Sequence, residues 1–385
     1  MKIYRVGGSV RDELIGLPVV DRDYVVVGAT PESMIALGYQ PVGRDFPVFL
    51  HPETHEEYAL ARTERKSGRG HQGFVFHADP GVTLEADLLR RDLTINAMAR
   101  DDAGALIDPY GGQRDLMLRT LRHVSPAFGE DPLRVLRLAR FAARFGFDVA
   151  DETEALMRAI VARGELADLS IERVWREFAL GLTARQPSRM LAALRRCGAL
   201  REIAPELDQL YSMTAGGDQP DLGVVTALAL DRGARAEAPA ALRLPIQFGI
   251  ATRNLGVGDA QSLSARLKVG NDCRDAALQS ARHATAFGSA SSAGAEEWLA
   301  LLNGIDAQRR PERLDVLIAV AAAYAPNEIG GTVQKIAESA REALLVLGRI
   351  DYRDVGNGDR VNVADRVREL RLRALKKWLE ARPDS

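Results

Sequence analysis

The chain has few cysteines and histidines and no long apolar run among its 385 residues. Its two cysteines, Cys197 and Cys273, lie far apart and lack metal-ligand spacing, which argues against a disulfide framework and for a reducing compartment. The first residues, MKIYRVGGSVRDEL, contain no apolar segment of the signal-peptide kind. No stretch approaches the roughly 20 apolar residues that span a bilayer. These absences predict a cytoplasmic protein that does not enter a membrane.

A charge excess of one sign is also missing. Lys and Arg number 51 and Asp and Glu 53, for a formal net charge of -2, so the overall composition does not indicate nucleic-acid binding. Hydrophobic residues make up 46% and charged residues 27%, as in an ordinary globular protein long enough for two or more domains. Any RNA-binding surface must therefore be a local basic patch.

Hydrophobic periodicity divides the chain into an α/β first part and a helical remainder. Short apolar runs predict strands at Ile3–Val6, Tyr24–Val27, Val48–Leu50 and Glu57–Ala61, with helices at Ser9–Leu17 and Pro31–Leu37. Later periodicities predict helices at Pro132–Phe145, Asp151–Arg163, Ile171–Leu182 and Pro187–Cys197. The predicted fold class is α+β, with a small mixed β-sheet in an N-terminal head (1–125), followed by an all-α neck (126–212) and an all-α body and tail (213–385).

Two segments have no regular pattern. The polar, glycine-rich stretch Arg62–Pro80 is predicted to be a mobile loop. The sequence AGGDQPD at Ala215–Asp221 predicts a boundary near the start of the body.

The first group of residues that indicates chemistry combines a glycine pair with two aspartates. Gly7 and Gly8 separate a strand from a helix, so the backbone can approach a phosphate at the helix N-terminus, where Arg11 can reach the same anion. Asp21 and Asp23 are placed by strand alternation on one face, where two carboxylates suit Mg²⁺. Either motif alone is more often a turn, but both together at one sheet end predict a nucleotide and metal site.

The second group lies in the sequence RRDLTINA. A helix start with solvated charges is the plain interpretation, but it leaves the adjacent arginines unexplained. The functional interpretation makes Arg91 a clamp on a nucleotide, with Asp92 and Asn96 fixing the ribose or nearby backbone.

The third group begins with Asp131, predicted as the N-cap of a helix that has Pro132 at its first position. Arg134, Arg137, Arg140 and Arg144 fall within an arc of roughly 120°. A solvated basic face is the alternative. In the sharper interpretation, the Asp131 carboxylate accepts from the exocyclic amine of cytosine or adenine while Arg134 donates to ring acceptors. Arg137 and Arg140 then neutralise phosphates.

A fourth segment, Ser170–Glu177, is predicted to be a structural helix start with Arg173 and Glu177 one turn apart. The surrounding neck carries arginines that form a candidate RNA-facing set: Arg173, Arg176, Arg185, Arg189, Arg195, Arg196 and Arg201.

These four segments, in this order, resemble the class II tRNA nucleotidyltransferases, the family of CCA-adding enzymes and bacterial poly(A) polymerases. The resemblance extends from Met1 to about Leu210 and is nearest to the bacterial CCA-adding enzymes, in stretches such as RHVSPAFGEDPLRVLRLARFAARFGF. It implies transfer of nucleotides from CTP and ATP to the 3′ end of tRNA, without a nucleic-acid template, with two Mg²⁺ ions as cofactor and with release of pyrophosphate.

The resemblance also implies roles for single residues. Asp21 and Asp23 are expected to be catalytic and to hold Mg²⁺, with Glu57 as a possible third carboxylate. The stretch Arg62–Pro80 matches an element that helps the switch from C to A addition. The residues implied to bind the nucleotide are Gly8, Arg11, Arg91, Asp131, Arg134, Arg137 and Arg140.

The C-terminal part departs from some relatives. They carry a metal-dependent phosphohydrolase domain with an adjacent His-Asp pair, and here Arg253 and Asn254 stand in its place within FGIATRNLGVG. Arginine is not a metal ligand at neutral pH, and His283 is the only histidine after His123. Phosphohydrolase activity is therefore predicted to be absent.

Three alternatives remain open. They are a poly(A) polymerase or partial CC- or A-adding enzyme of the same family, a non-catalytic RNA-binding protein, and a metal phosphohydrolase. The intact acidic pair argues against the second, and the missing ligands argue against the third. The sequence does not decide the oligomeric state.

Overall fold

Strands β1 (Lys2–Val6) and β2 (Asp23–Val27) pair antiparallel at the centre of a seven-stranded mixed sheet. The computed structural model describes residues 1–42, 48–66, 74–214, 216, 220–288, 290, 293–325, 330–353 and 360–382. It forms two compact units, Met1–Ile203 and Ala204–Ser385.

The first unit holds the strands. After β1 and β2 they are β3 (Gln40–Val42), β4 (Val48–Leu50), β5 (Glu57–Leu60), β6 (Arg62–Lys66), β7 (Phe74–Ala78), β8 (Ala99–Arg100), β9 (Leu106–Ile107), β10 (Thr120–Leu121) and β11 (Asp148–Val149). The large sheet has the order β3-β4-β5-β2-β1-β8-β9, and β2 and β5 are its parallel pair. Strands β6 and β7 form an antiparallel pair, and β10 and β11 a parallel one.

The same unit contains nine α-helices within the residues described, and short 3₁₀ turns. They are α1 (Gly8–Leu14), α2 (Pro31–Ala36), α3 (Leu84–Leu89), α4 (Gly112–Met117), α5 (Leu133–Phe145), α6 (Asp151–Ala162), α7 (Ile171–Leu182), α8 (Pro187–Arg196) and α9 (Ala199–Ile203).

Two hydrophobic clusters cover the two faces of the large sheet. Val25 and Leu88 belong to the cluster under α3, whereas Val26 and Met34 belong to the cluster under α2. Neighbouring residues of β2 thus point to opposite faces, as strand alternation requires. Burial on both faces explains why β2 is a continuous apolar run after Asp23.

The second unit is helical throughout the residues described. Its helices are α10 (Pro205–Gln209), α11 (Leu222–Arg235), α12 (Ala240–Thr252), α13 (Val257–Arg266), α14 (Asn271–Gly288), α15 (Ala295–Gly304), α16 (Glu312–Tyr324), α17 (Gly330–Gly348) and α18 (Arg360–Glu380). Helix α14 packs against α12, α13 and α16. No described helix is long and apolar enough to cross a membrane.

The α+β class with its mixed sheet and helical remainder is confirmed. The prediction of a loop over Arg62–Pro80 is wrong at its two ends, where β6 and β7 pair, and its middle (67–73) lies outside the described residues. The sequence of β6, RTERK, shows no alternation of apolar and polar residues, so its pattern did not predict a strand. The strand forms nevertheless, because backbone groups alone make the hydrogen bonds of the ladder.

The three-part domain division stays a prediction. Much of the stretch that was expected to mark the start of the body, at 215 and 217–219, lies outside the described residues.

Candidate functional site

A cavity of about 560 Å³ opens in the first unit, between the large sheet and helices α5 and α7. It is within the size range of small-molecule sites. The described residues around it include nine arginines and four aspartates, an excess of five positive charges. The lining residues are Gly7, Gly8, Arg11, Asp23, Val25, Ala59, Arg62, Asp87, Arg90, Arg91, Asp92, Asn96, Asp131, Leu133, Arg134, Arg137, Arg140, Phe141, Arg144 and Arg173.

The glycine turn forms one edge of this cavity. Gly7 has a φ of +72°, which side chains other than glycine rarely adopt, and a Cβ on it would lie 2.7 Å from Nη1 of Arg91. Its N–H donates to the Met98 carbonyl oxygen at 3.1 Å. The turn therefore brings Arg91 against the start of α1, where Gly8 also lines the cavity.

Asp23 lies beside this turn. Asp23 is the first residue of β2 and pairs in register with Val6, the residue before Gly7. On its other side it pairs with Glu57, the first residue of β5. Partners in a parallel ladder share a face, so the carboxylates of Asp23 and Glu57 lie on the same face as Val25 and Ala59, which line the cavity.

Strand β2 begins only at Asp23, so strand alternation does not extend to Asp21, and the shared face of the two carboxylates stays a prediction. Asp21 is exposed and is not among the lining residues, but its charge acts on Asp23. Desolvation raises the pKa of Asp23, Arg91 opposes this rise and Asp21 adds to it. The two aspartates thus interact, while Asp23 alone borders the cavity.

A hydrogen-bonded network around Asp92 ties α5 to the sheet. Asp92 is buried and accepts from the Leu93 N–H, from Asn96 Nδ2 at 2.9 Å and from Arg137 Nε and Nη2 at 3.0 and 2.8 Å. Burial alone would raise the pKa of Asp92. The charge of Arg137, the hydrogen bonds from Asn96 and Arg137, and the charge of Arg134 outweigh it and lower the pKa to about 2.

Arg11 is more deeply buried than its predicted role requires, at 3% exposure. Its guanidinium lies over the rings of Phe141 and Phe145 and donates to Asp12 and Asn96. Burial lowers its pKa, and Asp12 opposes the shift. The more exposed cation here is Arg144, which donates to Asp12 at 3.0 Å and was not singled out as a binding residue.

The Asp131 and Arg134 pair lies at the start of α5. Asp131 Oδ1 accepts from the Leu133 N–H at 3.0 Å, but the predicted N-cap is wrong by one residue, because α5 begins at Leu133 with Pro132 as its N-cap. Arg134 donates through Nη1 to the Ala127 carbonyl and through Nη2 to the Arg90 carbonyl, both at 2.8 Å. Both side chains line the cavity.

Helix α7 begins with a segment that is predicted to be structural, and its position at the cavity, through Arg173, was not predicted from the sequence. Arg173 and Glu177 do not serve as a pair within the helix. Arg173 Nη2 donates to Asp131 Oδ2 at 3.1 Å, and Glu177 accepts from Arg140 at 2.5 Å. Of the neck arginines, Arg189 pairs with Asp148 and Arg196 with Glu154, so both are engaged within the unit.

In the second unit, the side chains of Arg253 and Asn254 contact Tyr324 and Thr226. Asn254 Nδ2 donates to Thr226 Oγ1 at 3.1 Å, and the Arg253 guanidinium lies 4.1 Å from the centre of the Tyr324 ring. The Tyr324 hydroxyl donates to the Ile250 carbonyl at 2.9 Å and lies 3.0 Å from Thr226 Oγ1. Among the described residues, no group of three or more His, Cys, Asp or Glu is arranged to hold a metal ion.

Comparisons with known proteins agree with this layout. A model of the "Poly A polymerase head domain" matches residues 3–122, and one of the "Probable RNA and SrmB- binding site of polymerase A" matches residues 146–211. The chain is 46% identical over 408 residues to the multifunctional CCA protein of Dechloromonas aromatica strain RCB, covering 99% of this chain and 98% of the relative. The chain belongs to the multifunctional CCA protein family.

Two solved structures support the fold of this family member. The Bacillus stearothermophilus CCA-adding enzyme in complex with CTP matches with a TM-score of 0.69 at 24% identity, over 98% of this chain and 89% of that one. The Thermotoga maritima CCA-adding enzyme complexed with tRNA matches with a TM-score of 0.64 at 20% identity, over 100% and 88%.

Proposed function

We propose that this chain adds and repairs the 3′-terminal CCA of tRNA from CTP and ATP, without a nucleic-acid template. One observation carries the proposal: Asp23, a set of arginines and the pair Asp131 and Arg134 all border a single cavity. These are the groups needed to hold a metal, a triphosphate and the edge of a base. The membership of the chain in the family supports the same assignment.

The charge of the cavity suits a nucleoside triphosphate. Nine arginines face four aspartates there, so a triphosphate enters a field of opposite sign. Arg91, Arg137 and Arg144 each keep about a quarter or more of the side chain exposed, so they are the cations best placed to reach phosphate oxygens. Arg11, Arg137 and Arg140 are at the same time fixed by protein carboxylates, which orients them before a ligand arrives.

Asp21 and Asp23 are proposed to be catalytic and to hold Mg²⁺. Their hard carboxylate oxygens suit this ion, which keeps several water or phosphate ligands and so needs few from the protein. Glu57 pairs with Asp23 in the ladder, but among the described residues the three carboxylates do not form a group arranged to hold a metal, so the proposed ligands are the two aspartates. When bound, Mg²⁺ supplies positive charge for the oxygens of the attacking and leaving groups.

Base selection is assigned to Asp131 and Arg134. A carboxylate accepts from the N4 amine of cytosine or the N6 amine of adenine, and Arg134 donates to ring acceptors. Uracil and guanine present a carbonyl oxygen where those amines lie, and a carboxylate repels it. The pair thus accepts C and A and rejects U and G.

The reaction needs no covalent intermediate with the protein. The tRNA 3′-hydroxyl gives its proton to water and attacks the α-phosphate, a new phosphodiester bond forms, and the bond from the α-phosphorus to the bridging oxygen breaks so that pyrophosphate leaves with its electron pair. The residues around the cavity contribute by positioning and charge neutralisation. Gly8 at the start of α1 allows close approach of the phosphates.

The domain roles follow from the same proposal. The head (1–125) carries catalysis, the neck (126–212) carries nucleotide selection and RNA binding, and the body and tail (213–385) bind tRNA. The matches of family models at 3–122 and 146–211 support the first two. Both cysteines are free thiols, in keeping with action in the cytoplasm.

Nucleotide incorporation on tRNA that ends at its discriminator base tests the proposal. Wild-type protein should add C, C and A and then stop, and Asp21→Ala and Asp23→Ala should not. Long A runs made without CTP would instead identify a poly(A) polymerase, and arrest after CC or a requirement for a preformed CC end would identify a partial enzyme. No incorporation by the wild type would contradict the whole assignment.

We also propose that the second unit has no phosphohydrolase activity. Support comes from Arg253 and Asn254, which replace the His-Asp pair of some relatives and take part in a network with Tyr324 and Thr226. An arginine side chain offers no lone pair to a metal. Hydrolysis of phosphate esters by purified protein with added Ni²⁺ or Mg²⁺ that persists in an Asp21→Ala variant, whose second unit is unchanged, would disprove this.

A further inference from the structure

We infer that Arg173 is a positioning residue for base selection, acting through the carboxylate of Asp131. The inference rests on the proposed function, since it assigns Asp131 the task of accepting from the base amine. It adds Arg173, from the segment of α7 that the sequence predicted to be structural, to the residues that decide which nucleotide is accepted.

The first observation is that both carboxylate oxygens of Asp131 are oriented by the protein. Oδ1 accepts from the Leu133 N–H and Oδ2 from Arg173 Nη2. A carboxylate with one anchored oxygen still turns about its side-chain bonds, and a second anchor on the other oxygen fixes its plane. Each oxygen keeps a lone pair, so the oriented group can still accept from an amine.

The second observation is that Arg134 is held separately. Its two terminal nitrogens donate to the carbonyl oxygens of Ala127 and Arg90, both at 2.8 Å. Backbone carbonyl groups thus orient the Arg134 guanidinium, whereas the Asp131 carboxylate depends in part on the Arg173 side chain of α7. Arg173 is therefore the one replaceable support of Asp131 outside α5 among the contacts described.

The third observation concerns how α7 meets α5. Arg173 and Glu177 are four residues apart and share a side of α7, yet each reaches a residue of opposite charge, Asp131 just before α5 and Arg140 within it. The side chains of Arg173 and Asp131 are 27% and 26% exposed, and an ion pair so open to water adds little stability. Its main effect is geometric, and Arg173 itself lines the cavity.

The test compares CTP with UTP as substrates, because only cytosine carries the amine that Asp131 accepts. We expect Arg173→Ala to lower the preference for CTP, measured as the ratio of kcat/KM values, by about tenfold, the worth of one charge-assisted hydrogen bond. Arg173→Lys retains the charge and one donor and should restore part of the preference. A change in packing alone would lower both values together and leave the ratio intact.

A matched control removes a different ion pair. Arg163 pairs with Glu165 at 2.6 Å in the same unit, and neither residue lines the cavity. Arg163→Ala should therefore keep the wild-type ratio. In an Asp131→Ala background, Arg173→Ala should reduce the preference no further, because the two residues act as one unit.

An unchanged ratio in Arg173→Ala, or additive losses in the double variant, would overturn the inference. If Arg173→Ala turns over too slowly to assay, the ratio of the equilibrium dissociation constants for UTP and CTP reports the preference in binding, and it should fall in the same direction. Wild type that incorporates neither nucleotide would instead contradict the proposed function itself, so the two failures are distinct.

Discussion

Arg137 holds Asp92 through two hydrogen bonds, from Nε at 3.0 Å and Nη2 at 2.8 Å, and so joins α5 to the segment that follows α3. Asp92 is 7% exposed and Arg137 keeps part of its side chain at the cavity surface. A paired guanidinium presented to the cavity in one orientation is a preorganised phosphate donor. The same pair makes the stability of the folded protein depend on pH in the acid range.

Asp92→Asn should reduce stability and its acid dependence. The pKa of Asp92 in the folded protein is about 2, below its ordinary value of 3.8. Folding thus favours the charged carboxylate of Asp92, and this preference stabilises the folded state by about 2 kcal/mol. The stabilisation is present above about pH 4 and is lost as the pH falls toward 2. Hydrogen exchange of α5 amides at pH 5 and lower would measure it. An equal pH dependence in wild type and Asp92→Asn would contradict the role of the pair.

Replacing either Asp21 or Asp23 should abolish most of the activity while the protein stays folded. Asp21→Ala and Asp23→Ala should each lower kcat for nucleotide addition by at least about a hundredfold, as for removal of a group that stabilises transition-state charge. Thermal unfolding should change little, because both side chains are exposed. Glu53→Ala, an exposed carboxylate on the loop between β4 and β5, serves as the control and should retain wild-type kcat. Destabilisation of both aspartate variants would instead point to a structural role.

Local patterns predicted the parts of the site that are close in sequence. Gly7, Gly8 and Asp23 converge because β1 and β2 pair directly across α1, a connection short enough to be foreseen. The arginine face of α5 follows from helical periodicity alone, and Arg134, Arg137, Arg140 and Arg144 all line the cavity.

Contacts between distant elements could not be predicted in this way. Asp131 and Arg173 are 42 positions apart, and Asp92 and Arg137 are 45 apart, so no periodicity relates them. The start of β2 at Asp23 rather than earlier also depends on where β1 ends, since the ladder terminates at Val6. A single sequence specifies which residues are charged, but partner choice is decided by the packing of α5 against α7 and the sheet.

Binding of tRNA should weaken steeply with salt. Neck arginines such as Arg185 and Arg201 are exposed, so phosphates can reach their guanidinium groups. Neutralising three or more phosphates would lower affinity by about tenfold or more between about 50 and about 200 mM salt. Filter binding across this range measures the slope, and Arg185→Glu should reduce it. A tRNA affinity that does not change with salt concentration would argue against phosphate contacts by the neck arginines.

The buried hydroxyl of Tyr324 should make the stability of the second unit depend on pH under alkaline conditions. Burial raises its pKa to about 12, against the opposing hydrogen bond with Thr226 and the charges of Arg253 and Arg232. A raised pKa means that the folded state holds the phenolic proton more tightly, so the stabilising contribution is complete below the ordinary value of 10 and disappears as the pH rises toward 12. Tyr324→Phe removes the ionisable group and should flatten this part of the stability profile. It should also cost about 1 kcal/mol at neutral pH, because the Ile250 carbonyl and the Thr226 hydroxyl lose a partner. Hydrogen exchange of α12 and α16 amides, compared between wild type and variant at neutral and alkaline pH, separates the two effects. A variant that loses alkaline stability as wild type does would show that another group titrates there.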